Sequence, residues 1–105
     1  MSILVHSRGI PLNDSLRTWV EDRFESAIMR LGRHGRKVSV FLCDENGPNR
    51  GGEDKSCRVV VHMTGHTTLV VEDRDAHLNA LIDRVCDRIS LAIDRKAERR
   101  REHRG

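Results

Sequence analysis

The sequence predicts one α+β domain, a four-stranded sheet with two helices packed on one face in a two-layer sandwich. Two stretches carry apolar residues at helical spacing, four short stretches alternate or run apolar, and their order is β-α-β-β-β-α. The length agrees, since 105 residues suit one domain of ~100–150 residues and leave too few for two. The domain is assigned to residues 1–101, with a short basic tail over 102–105.

Ile3-Leu4-Val5-His6 is a short apolar run ending at Arg8-Gly9 and reads as the first strand. Asn13 then offers a good N-cap, and Asp14 sits where the positive end of a helix dipole favours an acid. Leu16, Val20, Phe24, Ala27 and Leu31 follow on one helical face, and Gly32 and Gly35 are expected to end the helix. Val38 to Cys43 alternates as a second strand, with Val38, Val40 and Leu42 on one face and Ser39, Phe41 and Cys43 on the other. Asn46-Gly47-Pro48 and Gly51-Gly52 mark a polar turn. Cys57–Met63 and Thr67–Glu72 are strands joined by a tight hairpin at Gly65-His66, and a long helix runs from about Ala76 to about Arg101. The strands are expected to form an antiparallel meander, both helices covering its apolar face. The other face would then carry Leu4, His6, Phe41, Cys43, Val60, His62 and Val70. Scattered exposed apolar residues and a weak homodimer surface are both open readings of that face.

Composition excludes several classes. No uncharged run approaches the ~20 apolar residues of a membrane span, and the N-terminus lacks the charged and apolar regions of a secretory signal. Cys43, Cys57 and Cys86 are odd in number and widely spaced, which fits a reducing, cytoplasmic setting rather than a disulfide framework. Trp19, Phe24 and Phe41 are the only aromatics, which argues against a base-stacking RNA reader. No metal site, cofactor loop or catalytic constellation is expected. His62 and His66 flank a hairpin tip, and Gly51-Gly52 lacks a following Gly-Lys-Ser/Thr. Asp44, Glu45, Glu53 and Asp54 read as a solvated loop, so the chain is not expected to be an enzyme.

The charges carry the functional signal. Nineteen Lys+Arg face sixteen Asp+Glu for a net charge of +3. At about 100° per residue, Leu78, Leu81, Ile82, Val85, Cys86, Ile89, Ala92 and Ile93 share an arc of the last helix. Arg84, Arg88, Arg95 and Arg99 fall beside it, and Asp83, Asp87, Asp94 and Glu98 on the far side. Like-charge neighbours of this kind cost an isolated helix roughly 0.2–0.5 kcal/mol each, so the sorting suggests a partner for one stripe. Six basic residues fall between Arg95 and Arg104. On the first helix Arg23 and Arg30 flank the apolar arc near Trp19. With the helices side by side, these arginines and the Arg84–Arg99 stripe are expected to share a groove, extended by Arg33, Arg36 and Lys37. Arginine suits phosphate because its planar fork of donors stays charged.

The chain resembles the bacterial family of hibernation-promoting factors and ribosome-associated inhibitors, the ribosomal subunit interface proteins, over about residues 1–100. The resemblance lies in Ile3-x-Val5, Pro11-Leu12-Asn13-Asp14-Ser15-Leu16-Arg17, Val38-x-Val40-x-Leu42, Cys57-x-Val59-x-Val61, and Ala80-Leu81-Ile82-Asp83 followed by Asp87-Arg88-Ile89. The Asn46-to-Lys55 loop is similar to one of a short-form branch. It implies a fold like a double-stranded-RNA-binding domain with an added strand. It also implies binding to the small ribosomal subunit and its rRNA, and inhibited translation in stress or stationary phase. Phosphate contacts would fall on Arg84, Arg88, Arg95, Lys96, Arg99 and Arg100, with Arg23 and Arg30 and, secondarily, Arg33, Arg36 and Lys37. Asn79 departs from the Tyr usual there, and the family's long-form C-terminal dimerisation domain has no counterpart in this sequence. The alternatives are a protein-binding module using the apolar outer sheet face and a general double-stranded-RNA binder.

Overall fold

The computed structural model describes residues 2–45, 54–65 and 67–103; for Arg33 and for residues 97–103 only the backbone is described. The order is β1 (Ser2–Arg8), α1 (Asp14–Ile28), a 3-10 turn (Met29–His34), β2 (Gly35–Asp44), β3 (Lys55–Met63), β4 (Thr67–Asp75) and α2 (Leu78–His103). The strands form one sheet in the order β1-β2-β3-β4. β2, β3 and β4 pair antiparallel, whereas β1 pairs parallel to β2, with Val5 opposite Val40. The sheet is therefore mixed, and the expected meander holds for β2–β4 only. A strand that returns through a helix re-enters beside its start in the same direction, which a two-residue hairpin cannot do. The Asn46–Glu53 turn chemistry and the His66 hairpin tip lie outside the described residues.

Strand alternation sends Val5, Val38, Val40, Leu42, Cys57, Val59, Val61, Met63 and Val71 to the helical side, where all are buried. Val20, Phe24 and Ile28 of α1 meet them, with Leu81, Ile82, Val85, Cys86, Ile89 and Ile93 of α2. Asn13 caps α1, its side-chain oxygen accepting the Leu16 N–H at 2.8 Å. The α-helix gives way earlier than expected, at Met29. The chain tightens into the 3-10 turn, which buries Leu31, and Gly32 adopts a positive φ of 51° to leave it. α2 starts two residues late because Asp73-Arg74-Asp75 still belongs to β4; the Asp75 carboxylate then accepts the His77 N–H at 2.9 Å.

The helices run in parallel. Arg23 reaches Asp83 and Asp87, and one heptad on Arg30 reaches Ser90 and Asp94. α2 runs antiparallel to β4, since Arg84 meets Asp75 and Arg88 meets Glu72 and Asp73. One end of the molecule thus collects the helix N-termini and the β2–β3 neck. The other collects the last turns of both helices, the start of β2 and the β3–β4 hairpin. At 1.5 Å per residue the 26 residues of α2 span about 39 Å, against about 30 Å for a nine-residue strand. Ile93 is the last buried residue described on its apolar stripe, so the helix overhangs the second end.

Candidate nucleic-acid interface

The two charge stripes of α2 are real, and both meet partners inside the molecule. The acidic stripe faces α1: Arg23 Nε donates to Asp83 at 3.0 Å, and Arg30 donates to both Asp94 oxygens at 2.6 and 2.7 Å and to Ser90 at 2.6 Å. Arg84 and Arg88, the first two residues of the basic stripe, face the edge strand β4. Arg84 bridges Asp75 and Asp73 and donates to the Arg74 carbonyl, while Arg88 donates to the Glu72 carbonyl and to Asp73. Arg23 and Arg30 therefore lie on the opposite flank of α2 from Arg84 and Arg88, and the expected common groove does not form. The signal lay in the spacing: Arg23 and Arg30 are seven apart, as are Asp87 and Asp94. Two helices in parallel register bring such a ladder together.

These pairs leave a trace in the ionisation of the acids. The Arg74 backbone N–H, and then Arg84, hold the Asp73 carboxyl below the usual carboxylate range. The His77 backbone N–H, then Arg84, do the same to Asp75. Arg84 is correspondingly pushed up by Asp75 and Asp73.

The cations without such partners lie elsewhere. Among the described residues, Arg8, Arg36, Lys37, Arg58, Arg95 and Lys96 make no ion pair or side-chain hydrogen bond. Four of these, Arg36, Lys37, Arg95 and Lys96, gather at the end where α2 overhangs. Arg36 sits in a register shift between Gly35 and Lys37, a bulge of the kind that re-aims a side chain. Together with His62, Met63, Gly65, Thr67 and Thr68 it lines a shallow cleft of about 260 Å³. The helical backbone of Arg99 and Arg100 continues from the same end; their side chains and that of Arg33 lie outside the described residues. At the opposite end Lys55 lies between Asp44 and Asp54, and Arg74 is bridged to Glu45.

Cys57 and Cys86 are buried, and burial pushes both thiols up to about 12, which makes them poor nucleophiles. Among the described residues no group of His, Cys, Asp or Glu converges as a metal site would require. No helix among them is long and apolar enough to cross a membrane.

The cationic end of this α+β domain is a surface suited to an anionic partner. The sequence matches the family model of the sigma 54 modulation protein / S30EA ribosomal protein over residues 3–101, so the chain belongs to that family of ribosome-associated, non-enzymatic proteins. Its fold is similar to that of the Thermus thermophilus protein Y N-terminal domain, at 27% identity and a TM-score of 0.72, over 90% of this chain and 98% of that one. It is also similar to a ribosomal subunit interface protein from Coxiella burnetii, at 12% identity and a TM-score of 0.76, over 93% and 99% of the two chains. The latter likeness is one of fold. A search of curated proteins finds no match.

Proposed function

We propose that this protein binds the small ribosomal subunit through phosphates of its rRNA, in the cytoplasm, and holds ribosomes out of translation in stress or stationary phase. The observation that carries the reading is the gathering, at one end of the molecule, of Arg36, Lys37, Arg95 and Lys96, which make no ion pair among the described residues. Membership of a ribosome-associated family supports it. Arg36, Lys37, Arg95 and Lys96 make the leading contacts, and Arg99, Arg100 and Arg33 extend them along the same end. Arg84, Arg88, Arg23 and Arg30 contribute only by exchanging a carboxylate partner for a phosphate. Contacts of this kind release counterions, so affinity falls steeply with salt.

The test is co-sedimentation with purified small subunits across a salt series. The protein is expected in the subunit peak at low salt and at the top of the gradient at high salt. Recovery at the top even at low salt defeats the proposal. Equal binding to an arbitrary RNA duplex would instead make it a general duplex binder.

A further inference from the structure

We propose that the outer face of the sheet is a second RNA surface, one that takes the bases of a single-stranded segment on the stacked rings of His6 and Phe41. The proposal goes beyond the phosphate-binding end and does not depend on it. His6 and Phe41 are register partners on β1 and β2, and their rings stack with centroids 5.0 Å apart and planes 14° from parallel. Phe41 is 41% exposed, an exposure that folding alone does not call for. A stacked pair presents two further faces. On the β1 side lies the free edge of the sheet, and on the β3 side the cross-strand partner of Phe41 is Arg58. Arg58 is exposed and unpaired among the described residues, so its planar guanidinium is available to a base or a phosphate.

The charge of this face points to the occupant. Its described cations are Arg8, Lys37, Arg58 and Arg74, against the acids Glu72 and, at the rim, Glu45. Of these cations only Arg74 is bridged, to Glu45. Arg8 stands two residues along β1 from His6, about 6.6 Å away at the strand rise, where a base on the ring would carry its phosphate. The next row in the other direction, Leu4, Ser39, Val60 and Val70, is apolar but for Ser39. Aromatic and apolar centres rimmed by cations suit unstacked bases. A second copy of this chain would press like-charged rims together. The low aromatic count argued against base stacking, but position decides more than number.

The test measures binding of the full chain to a labelled ten-nucleotide RNA and to a length-matched abasic phosphodiester, by anisotropy. Stacking one base predicts about tenfold tighter binding of the RNA. Phe41→Leu, which keeps apolar bulk at an exposed site, is expected to bring that ratio to one. Phe41→Trp in a Trp19→Phe background is expected to retain the ratio and to show fluorescence quenching by RNA. Arg95→Gln, on α2 and away from this face, should leave RNA binding tighter than that of the abasic probe and still sensitive to Phe41→Leu. A wild-type ratio of one, or a ratio unchanged by Phe41→Leu, overturns the proposal. So does a dimer in sedimentation equilibrium that Phe41→Leu dissolves and RNA does not compete with, which assigns the face to a second copy. A chain that fails to co-sediment with subunits but keeps the base-dependent ratio defeats the ribosome reading alone.

Discussion

Neutralising Arg36 and Lys37 together separates the unpaired cations from the ion-paired stripe. Both side chains are exposed and lack ion pairs among the described residues, so Arg36→Gln/Lys37→Gln breaks no internal bond and should stay within about 0.5 kcal/mol of wild-type stability. Each phosphate contact contributes about 0.9 to the slope of log affinity against log salt, so losing two flattens the slope by about 1.8. Between about 50 and about 200 mM salt, that amounts to roughly twelvefold less salt sensitivity. Arg84→Gln/Arg88→Gln removes the same formal charge but strips Asp73 and Asp75 of partners. Its slope should change by less than about 1, while its melting temperature falls. The assay is fluorescence-detected binding to small subunits at five or so salt concentrations, with a thermal melt of each variant. A wild-type slope in the β2 pair together with a flattened slope in the α2 pair would refute the reasoning. The ion-paired stripe would then be the interface, and internal pairing no guide to which cations are available.

Other consequences follow from the fold. Gly9 has φ of 81°, and a Cβ there would lie 2.8 Å from the Asp44 carbonyl oxygen, so Gly9→Ala should cost about 1–3 kcal/mol in urea unfolding. Phe24 is fully buried between the layers, and Phe24→Ala should cost about 3–5 kcal/mol by the same measurement. Native protein at pH 8 should give one thiol per chain to an aromatic disulfide reagent, from half-buried Cys43, and three after denaturation, because burial holds Cys57 and Cys86 near 12. Asp73 and Asp75 ionise more readily folded than unfolded. Their contribution is therefore complete above the unfolded carboxylate value of about 3.9 and is lost as pH falls through the lower folded values. Asp73→Asn/Asp75→Asn should flatten the acid limb of a stability-against-pH curve and leave its shape near neutrality unchanged.

The alternation of Val38, Val40 and Leu42 and the helical arc ending at Ile93 were legible because burial imposes a period on sequence, and the core follows them closely. The direction of β1 was not, since its alternation is the same in a parallel or an antiparallel ladder. The constraint lay in the helix between β1 and β2 and not in the strand. Ile28 continues Leu16, Val20 and Phe24 four apart, but the arc read from the sequence stepped three residues from Phe24 to Ala27 and on to Leu31, and so passed over it. The charges were legible as stripes but not as an interface. A like-charge row costs an isolated helix, yet it costs nothing once a complementary row from another element lies against it. Arg23 and Arg30 answer Asp83, Asp87 and Asp94, and Asp73 and Asp75 answer Arg84 and Arg88. A sorted stripe is evidence of a partner, but the partner must first be sought within the chain.

What survives that accounting is the excess at one end, and helix dipoles offer a competing explanation for it. α1 and α2 run in parallel, so both C-terminal ends point the same way, and each carries the equivalent of about half a negative charge. Cations there would be favoured in a protein that binds nothing. The sum of the two dipoles is about one negative charge, whereas Arg36, Lys37, Arg95 and Lys96 supply four positive charges that no described side chain neutralises. Arg36 and Lys37, moreover, belong to a strand and not to either helix. The dipoles therefore account for about a quarter of the excess. The remainder costs self-repulsion without any gain to the fold, a cost that a polyanionic partner reverses on binding.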